Sequence, residues 1–353
     1  MSETCRNYIG GEWVSSQSSR LQQVVNPTTA EVLTEVPMST EAEVLAAIAA
    51  ANEAFDEWRQ TPAVNRVAYL FRLRGRLEDE FEALARTITL EHGKNLDESR
   101  GEIRRAIQMT EVAAGIPSLM QGYNSEDIAP GIDEHAVIQP LGAFACLAPF
   151  NFPAMVPYWF LPFALATGNT YILKPSPIVP LSMTRAFEIL DELDLPPGVV
   201  NLVNGGKEVA NILMTSPNIK GTSFVGSSKV ARIVYKTCSE TGQRVQAQGG
   251  AKNFLTVMPD ADLDKAIPNM MTSAYGCTGQ RCLSGSVVLA VGDVYQDLKA
   301  RLIGAASQLT VGSGLDEGVD VGPLATAEKK ANVLNWIATG LEEGAKLVLD
   351  GRD

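Results

Sequence analysis

Short apolar stretches alternate with helical segments between residues 142 and 239, and this pattern limits the possible folds most strongly. The strand-length stretches are 142–147, 170–173, 199–203 and 222–225. The helical segments are 154–167, 181–193, 208–215 and 229–239. Continuous apolar strands separated by helices are typical of a parallel sheet that is covered on both faces. We therefore expect an α/β fold whose ligand binds at the carboxyl ends of these strands.

Further elements are predicted on both sides of this region. In the N-terminal part these are a hairpin turning at Gly10 and Gly11, a helix opened by a capping box at Thr40–Glu43, and helices at 61–93 and 97–114. In the C-terminal part these are strands at 254–258 and 286–290 and a helix at 325–344. Residues 123–134 are polar and acidic, and we expect them to form an excursion from the main fold.

The composition excludes several classes of function. The chain of 353 residues has 29 lysines and arginines against 41 aspartates and glutamates, which gives a net charge of −12, and it contains no basic run. Such a chain is a poor partner for nucleic acid or for anionic lipid. No stretch approaches 18 uninterrupted apolar residues, and the N-terminus lacks the pattern of a signal peptide. We therefore expect a cytoplasmic protein without a membrane segment.

The numbers of cysteines and histidines narrow the chemistry. The five cysteines are scattered through the chain, and their odd number fits reduced thiols better than a disulfide framework. The two histidines, His92 and His135, are too few for a histidine-rich site, and we predict no bound metal. Catalysis by a histidine paired with serine or cysteine would have to use one of these two. An enzyme of this composition must therefore work mostly without imidazole.

The segment GCTGQRC (276–282) is the strongest local signal for catalysis. It surrounds two cysteines with small residues and places Arg281 directly before Cys282. A thiolate is a strong nucleophile, and a nearby cation or backbone N–H groups lower the pKa of its thiol. The alternative is that Cys277 and Cys282 are small buried apolar residues. Two cysteines separated by four residues do not by themselves make a metal site.

Three further motifs follow predicted strands, where polar side chains can meet a ligand. In APFNFP (148–153), Asn151 could donate an amide N–H to a developing oxyanion, or it could belong to an ordinary turn. In ILKPSP (172–177), Lys174 could bind a ribose hydroxyl or a phosphate, or it could be solvated at the strand end. In SFVGSS (223–228), Ser227 and the N-terminus of the next helix could hold a pyrophosphate, or Ser227 or Ser228 could simply cap that helix.

In their order along an α/β chain, the four motifs resemble those of the aldehyde dehydrogenase superfamily, and the resemblance covers essentially the whole chain. Its CoA-acylating branch, which acts on methylmalonate semialdehyde, is most similar in the segments PFNFPAMVPYWFLP (149–162), FVGSSKVARIVY (224–235), RVQAQGGAKN (244–253) and VMPDADLD (257–264). The resemblance implies a parallel-sheet dinucleotide-binding domain, residues 1–122 and 142–248, and a second α/β catalytic domain, residues 249–353. Residues 123–141 would form an excursion that helps build a homo-oligomer, which is a tetramer in the family.

The resemblance also implies a role for each matching residue. Cys282 would attack the aldehyde to give a thiohemiacetal, and hydride transfer to NAD would leave a thioester on its sulfur. The side chain of Asn151 and the backbone N–H of Cys282 would form the oxyanion hole. Arg105 and Arg281 would hold the carboxylate of a semialdehyde substrate, since arginine pairs with carboxylates in a bidentate manner. The cofactor would be bound by Ala148, Phe150, Lys174, Ser176, Gly226, Ser227 and Gly249.

The segment QAQGG (246–250) bears on the fate of the thioester. Hydrolytic members of the superfamily carry here, within ELGG, a glutamate that activates water. This sequence has Ala247 or Gln248 at that place, and neither is a general base at neutral pH. We therefore expect acyl transfer to CoA, which gives propionyl-CoA from methylmalonate semialdehyde after loss of its carboxylate, or acetyl-CoA from malonate semialdehyde. The alternatives are a hydrolytic NAD(P)-dependent semialdehyde dehydrogenase that releases a free acid, and an inactive fragment that only binds a dinucleotide.

Two features depart from the family pattern. Pro177 follows KPS at a position where the family has a glutamate that binds the adenosine ribose, so NAD is expected while NADP stays open. The family also continues beyond the length of this chain, with a segment that touches the nicotinamide ribose and a final strand used in oligomerisation. We therefore expect a C-terminally truncated chain whose catalytic domain is incomplete.

Overall fold

The computed structural model describes residues 4–352. Its strands are β1 (Asn7–Ile9), β2 (Glu12–Val14), β3 (Leu21–Val25), β4 (Val32–Pro37), β5 (Tyr123–Ala129), β6 (Ile132–Ala136), β7 (Ala143–Leu147), β8 (Thr170–Lys174), β9 (Val200–Leu202), β10 (Ile219–Val225), β11 (Arg244–Gln248), β12 (Phe254–Val257) and β13 (Val287–Ala290). Its α-helices are α1 (Glu41–Trp58), α2 (Ala63–Asp79), α3 (Phe81–His92), α4 (Leu96–Ala114), α5 (Ile116–Leu119), α6 (Met155–Tyr158), α7 (Leu161–Thr167), α8 (Leu181–Asp191), α9 (Lys207–Thr215), α10 (Ser228–Glu240), α11 (Leu263–Tyr275), α12 (Tyr295–Ala306) and α13 (Ala327–Glu342). Within the described residues, none of these helices combines the length and apolar character needed to cross a bilayer.

A seven-stranded sheet in the order β11-β10-β7-β8-β9-β1-β2 forms the centre of the protein. The five strands from β7 to β11 run parallel, and β1 pairs antiparallel with both β9 and β2 at one side of the sheet. β1 and β2 form the hairpin predicted at Gly10 and Gly11, whose φ angles are 61° and 88°. Because the five parallel strands end at the same edge of the sheet, the segments that follow them lie side by side there.

Both faces of this sheet are buried, as the apolar strands predict. Ala145 of β7 and Ile172 of β8 belong to an apolar cluster with residues of α1, α9 and α10. Their neighbours Cys146 and Leu173 belong to a second cluster, with residues of α2, α3, α4, α7 and α8. Successive side chains of a strand point to opposite faces, so helices cover the sheet on both sides. The predicted α/β fold with a parallel sheet is thus confirmed.

Two predicted helices are each divided in the structure. The helix predicted over 61–93 consists of α2 and α3, and the chain leaves helical geometry at Glu80 (φ −95°, ψ 8°), where no glycine or proline marks the break. The helix predicted over 154–167 consists of α6 and α7. Here Pro162 in the first turn of α7 explains the interruption, since proline cannot donate the backbone hydrogen bond of a continuous helix. The sequence analysis missed β3, β4, β11, α11 and α12.

A second, smaller apolar core lies in the C-terminal part of the chain, between residues 255 and 309. β12 and β13 pair in parallel, and α11 and α12 pack on them through a cluster that includes Val257, Ile267 and Leu298. None of the described residues of α13 is buried, and Trp336 is 68% exposed. The segment 123–141 contains the antiparallel hairpin of β5 and β6, where the excursion was expected. The domain boundaries themselves stay a prediction.

Glu91, near the end of α3, caps the N-terminus of α8 from within the core. Its carboxylate accepts hydrogen bonds from the backbone N–H groups of Leu181 (2.6 Å) and Ser182 (3.0 Å), and its side chain is fully buried. Hydrogen bonds to a carboxylate lower its pKa, whereas burial raises it. Burial dominates at this position and raises the pKa of Glu91 to about 7.

We expect the variant Glu91→Gln to lose a pH dependence of stability. An acid whose pKa is raised from 4.5 to about 7 by folding contributes its full stability below about pH 4.5 and loses it as the pH rises through 7. Over this interval the free energy of unfolding of the wild type should fall relative to that of the variant, by an amount on the order of 3 kcal/mol. Urea titrations at a series of pH values measure this difference, and parallel pH profiles for the two proteins would contradict it.

Candidate active site

The GCTGQRC segment turns sharply after α11. Cys277 and Thr278 both adopt the left-handed backbone conformation, with φ of 54° and 55°, which residues other than glycine rarely do. A Cβ atom on Gly276 would lie 2.6 Å from Cζ of Arg281, so a side chain here would displace the end of the Arg281 side chain. The path of the chain buries Cys277, which is 2% exposed, and leaves Cys282 half-buried. The two cysteines that the sequence could not distinguish therefore have different surroundings.

Cys277 lies in a buried contact with His92. Its Sγ is 4.0 Å from Nε2 of His92, and burial raises the pKa of its thiol. Burial, together with the nearby cations Lys94 and Lys329, holds the pKa of His92 well below its usual range, so the imidazole is neutral. A neutral imidazole beside a thiol with a raised pKa does not make an activated nucleophile. The accessible thiol of the segment is that of Cys282.

The amide of Asn253 fixes the backbone around Cys282. Its Nδ2 donates hydrogen bonds to the carbonyl oxygens of Cys282 (2.9 Å) and Ser284 (3.0 Å). Asn253 directly precedes β12, and the hydroxyl of Ser284 donates to the carbonyl of Ser273 in α11 at 3.1 Å. The nucleophile segment is thereby attached to both a strand and a helix. No motif in the sequence analysis pointed to Asn253.

Asn151 is brought next to the nucleophile segment, as the motif order predicts. It follows β7, and its Nδ2 donates a hydrogen bond of 2.7 Å to the carbonyl oxygen of Gln280. A side-chain amide has two N–H donors, so one of them remains for an oxyanion. The predicted oxyanion hole of Asn151 and the N–H of Cys282 is therefore compatible with this geometry, and the role of each residue stays a prediction.

A cavity of about 870 Å³ opens beside the nucleophile segment. Its lining includes Cys282 and both predicted carboxylate-binding residues, Arg105 and Arg281. The aromatic rings of Phe152 and Trp159 form part of the wall. The cavity thus combines an accessible thiol, two guanidinium groups and apolar walls, and the carboxylates of Asp97, Glu98, Glu102 and Asp320 also line it. Such a space can hold a small molecule.

Arg105 and Arg281 differ in their partners, although the resemblance gives them one role. Nη2 of Arg281 pairs with Oε1 of Glu98 at 2.9 Å, and the same oxygen accepts the N–H of Cys277 at 2.5 Å. Nε of Arg281 is buried without a hydrogen-bond partner. Arg105, in contrast, is exposed and pairs with no carboxylate among residues 4–352. Arg105 is thus accessible both to solvent and to a ligand in the cavity, and its role stays a prediction.

A buried ion pair at the base of the site was not predicted. Nζ of Lys94 lies 2.7 Å from Oε2 of Glu102, and both side chains are 0% exposed. Burial lowers the pKa of Lys94, but Glu102 together with Cys277 and Glu98 raises it by more, so the net shift is upward and the lysine is charged. The only available sequence signal nearby was the second capping box, in which Asn95 and Glu98 open α4. That signal predicts the start of the helix but gives no indication that Glu102 points inward.

The seven predicted cofactor residues lie together at the carboxyl edge of four adjacent strands. They are Ala148 and Phe150 after β7, Lys174 and Ser176 at the end of β8, Gly226 and Ser227 after β10, and Gly249 after β11. A dinucleotide binds to parallel sheets of this kind at this edge. The structure thus brings all seven residues to one place, and their contacts with a cofactor stay a prediction.

Two of these residues already have protein partners. Nζ of Lys174 donates to the carbonyl oxygens of Pro175 (2.8 Å) and Gly205 (3.1 Å), and burial lowers its pKa to about 8. It is therefore a buried group and not a solvated strand end, with one N–H left for a ligand. Oγ of Ser227 accepts the N–H of Val230 (3.4 Å) as the N-cap of α10, which the sequence analysis left as the alternative. The Ser227 hydroxyl can still donate.

Space and charge at the same edge fit a dinucleotide phosphate. A Cβ atom on Gly249 would lie 3.2 Å from Cα of Ser228 at the N-terminus of α10, so glycine keeps this approach open. A helix N-terminus favours negative charge. Nζ of Lys329 in α13 lies 3.6 Å from the ring centroid of Phe150, and this cation was missed because nothing in its sequence context suggested the contact.

Comparison with known proteins agrees with this site. The sequence profile of the aldehyde dehydrogenase family matches residues 13–353. The chain belongs to the aldehyde dehydrogenase family. It is 49% identical over 350 residues to malonate-semialdehyde dehydrogenase 2 of Geobacillus thermodenitrificans and 46% identical over 350 residues to malonate-semialdehyde dehydrogenase of Halalkalibacterium halodurans. Each alignment covers 99% of this chain and 72% of the relative.

Solved structures place this aldehyde dehydrogenase in the same group. The crystal structure of methylmalonate-semialdehyde dehydrogenase from Oceanimonas doudoroffii has a TM-score of 0.97 at 40% identity. A protein of Sinorhizobium meliloti, solved in complex with NAD, has a TM-score of 0.97 at 38% identity. Each comparison covers 100% of this chain and 72% of the other. The predicted family and fold are therefore confirmed, and the chain spans about 72% of the length of these relatives.

Iodoacetamide should alkylate Cys282 of the folded dehydrogenase much faster than the other four cysteines. Cys5, Cys146, Cys238 and Cys277 are buried, and burial raises the pKa of each of these thiols, whereas Cys282 lines the cavity. Mass spectrometry of peptides after brief labelling measures the difference, and denatured protein, in which all five react, is the control. Faster labelling of Cys277 than of Cys282 would contradict the structure of the segment.

Proposed function

We propose that this aldehyde dehydrogenase oxidises malonate semialdehyde or methylmalonate semialdehyde with NAD, through a thioester on Cys282, and transfers the acyl group to CoA. The proposal rests mainly on one observation: Cys282 and an unpaired cation, Arg105, line the same cavity. The relatives and the solved structure that carry these substrates in their names support the choice of substrate.

A semialdehyde of this kind has a carboxylate that needs a cation. Arg105 can form a bidentate pair with it without first leaving another partner, because no carboxylate in the described part of the chain binds Arg105. Arg281 is already held by Glu98, so it would act as a second, weaker contact that orients the substrate next to Cys282. We therefore assign the larger part of substrate selection to Arg105.

The first chemical step requires a thiolate and a place for the charge that develops on the aldehyde oxygen. Sγ of Cys282 would attack the carbonyl carbon, and the oxygen would accept hydrogen bonds from the N–H of Cys282 and from the free N–H of Asn151. NAD, when bound, accepts the hydride that leaves this carbon, so that a thioester remains on the sulfur. Asn253 contributes by fixing the peptide that carries one of the two oxyanion donors.

The edge of the central sheet would hold NAD. Lys174 and the N-terminus of α10 would face its polar groups, and the glycines at 226 and 249 would allow close approach. The related structure solved with NAD supports this cofactor. Pro177 provides no carboxylate to repel a ribose phosphate, so a comparison of NAD with NADP at equal concentration tests the choice.

Transfer to CoA is proposed because the carboxylates around the cavity already have partners. Glu98 binds Arg281 and the N–H of Cys277, and Glu102 is buried against Lys94. The other two carboxylates of the lining are those of Asp97, which pairs with Arg100 at 2.8 Å, and Asp320, which accepts the N–H of Thr310 at 2.9 Å. Ala247 packs on the core of the main sheet, and Gln248 has no basic group. Without a free carboxylate to deprotonate water, the thioester persists until the thiolate of CoA attacks its carbonyl carbon and Cys282 leaves as a thiolate.

Arg105→Leu should raise KM for malonate semialdehyde far more than for propanal. The variant removes the cation that pairs with the substrate carboxylate, and propanal has no carboxylate to lose. A charge-assisted hydrogen-bonded pair contributes about 1.5–3 kcal/mol, which corresponds to an increase in KM of about 10- to 100-fold. Steady-state NAD reduction with both aldehydes measures the two KM values.

Arg104→Leu is the matched control for this variant. Arg104 is the neighbouring residue of α4 and pairs with Glu78 at 2.6 Å, away from the cavity. It should leave both KM values unchanged. Equal effects of Arg105→Leu on the two aldehydes would refute its assigned role.

The product should be an acyl-CoA when CoA is present, and its formation should depend on Cys282. We expect NAD reduction with malonate semialdehyde to continue over many turnovers only with CoA, because the thioester otherwise persists on the sulfur. Mass spectrometry should detect acetyl-CoA when CoA is present, because the malonyl group loses its carboxylate as CO2 after transfer. Without CoA it should detect an acyl adduct on Cys282, and Cys282→Ala should form neither. Free acid released at the same rate without CoA would favour the hydrolytic alternative instead.

A further inference from the structure

The buried pair of Lys94 and Glu102 requires an explanation beyond stability. Both side chains are 0% exposed, and their charged atoms are 2.7 Å apart. Burial of two charges costs about as much free energy as their attraction returns, so such a pair is weak evidence for a stabilising role. Its other contacts indicate what it does.

Each member of the pair binds the turn that carries Asn151. Nζ of Lys94 donates to the carbonyl oxygen of Asn151 at 2.6 Å and lies 4.3 Å from the ring centroid of Phe152. Oε1 of Glu102 accepts the N–H groups of Ala154 (2.8 Å) and Met155 (3.0 Å). The charged pair therefore contacts four of the five residues from 151 to 155, which we call the Asn151 turn.

The other hydrogen bonds to the backbone of the Asn151 turn are longer: Sγ of Cys277 lies 3.9 Å from the Asn151 carbonyl oxygen, and the N–H of Val156 donates to the carbonyl of Phe152 at 3.3 Å. Met155 starts α6, a helix of four residues without a side-chain cap of its own, so the N–H groups at its start need an acceptor from elsewhere. The side chain of Asn151 is bound on the other side to Gln280 of the nucleophile segment. Lys94 and Glu102 thus fix the backbone of the turn, and Gln280 fixes the direction of the amide.

We propose that Lys94 and Glu102 are positioning residues that hold the Asn151 turn so that the Asn151 amide can donate to the oxyanion formed at Cys282. This inference rests on the proposed function of Asn151. Neither residue touches the substrate, and both act through the peptide groups of the turn. Charged partners make stronger and shorter hydrogen bonds than neutral ones, which suits a turn that must keep one donor in place.

The double variant Lys94→Met/Glu102→Gln tests this proposal. It removes both charges, so no unpaired charge is left in the core, and the glutamine oxygen can still accept an N–H of Ala154 or Met155. The carbonyl of Asn151, in contrast, loses its cation. The matched control is Arg100→Met/Glu82→Gln, which likewise replaces the cation by methionine and the glutamate by glutamine, in an exposed ion pair (2.8 Å) that joins α4 to α3.

We expect the double variant to slow the burst of NADH formed with malonate semialdehyde by about 100-fold, as for loss of one oxyanion donor. KM for NAD and the rate of Cys282 alkylation by iodoacetamide should not change, because neither depends on the oxyanion. Asn151→Ala should cause a similar loss, and the triple variant should lose no more than Asn151→Ala alone. The control pair should behave like the wild type.

Several results would overturn the proposal. If the reductions in burst rate caused by the double variant and by Asn151→Ala multiply in the triple variant, the pair acts somewhere other than through Asn151. If the rate of Cys282 alkylation falls as much as the burst rate, the substitutions have damaged the site as a whole. If the double variant does not fold, Lys94→Gln/Glu102→Gln replaces it, since it also leaves no unpaired charge in the core. A smaller burst loss is then expected, because the glutamine amide at 94 can still donate a neutral hydrogen bond, and the comparison with Asn151→Ala is the same.

Hydrogen exchange separates failure of this proposal from failure of the proposed function. In the double variant, amides of peptides covering 149–158 should exchange faster than in the wild type, while the control pair leaves them unchanged. If the wild type shows no burst of NADH, or if Asn151→Ala leaves the burst unaltered, the proposed chemistry is wrong. In that case hydrogen exchange alone decides whether Lys94 and Glu102 hold the Asn151 turn. Unchanged exchange in 149–158 would refute the positioning role.

Discussion

One face of helix α4 connects the parts of the active site, and the geometry of the site depends on it. Glu98, Glu102 and Arg105 follow one another at spacings of four and three residues, which places them on the same side of a helix. Glu98 accepts the N–H of Cys277 in the nucleophile segment, Glu102 accepts N–H groups of the Asn151 turn, and Arg105 lines the cavity. The nucleophile segment and the Asn151 turn are more than a hundred residues apart in sequence, and both are bound to α4. This one helix therefore sets the distance between the Cys282 thiol and the Asn151 amide, which would act on the same carbonyl group.

The same helix also determines the charge of the pocket. Glu98 neutralises Arg281, and Glu102 neutralises Lys94, because a buried or half-buried cation without a partner would be costly. Arg105 is then the cation around the cavity that remains for a ligand. A neutral aldehyde would leave this guanidinium to water, whereas an aldehyde with a carboxylate would pair with it. The proposed preference for an acidic substrate would therefore follow from which cations the two glutamates occupy, and not from an excess of arginine in the sequence.

The sequence predicts those features that depend on a repeating pattern or a local rule. The apolar runs of β7 and β8 and the capping box at Thr40 are of this kind, and the order of the motifs brings Asn151 close to the nucleophile segment. The inward direction of Lys94 and Glu102 could not be predicted, because lysine and glutamate normally face water. This holds in the connection between α3 and α4, where Lys94 lies, and on an amphipathic helix such as α4, which carries Glu102. The break between α2 and α3 at Glu80 was missed for a related reason: it has no glycine or proline, and only tertiary packing can select it.

The small residues of GCTGQRC now have a physical explanation. Glycine at 276 leaves room for the guanidinium of Arg281, and Gly279 has a φ of 71°, a conformation that favours glycine. Cys277 and Thr278 nevertheless adopt left-handed conformations that cost free energy for residues with a Cβ, and such strain persists only where the surroundings hold it in place. Here Glu98 binds the N–H of Cys277, and the Thr278 hydroxyl donates to the carbonyl of Gly322 at 2.8 Å. Because of this strained turn, Cys277 is buried, whereas Cys282, five residues later, lines the cavity. One short motif therefore supplies both a buried thiol and an accessible one.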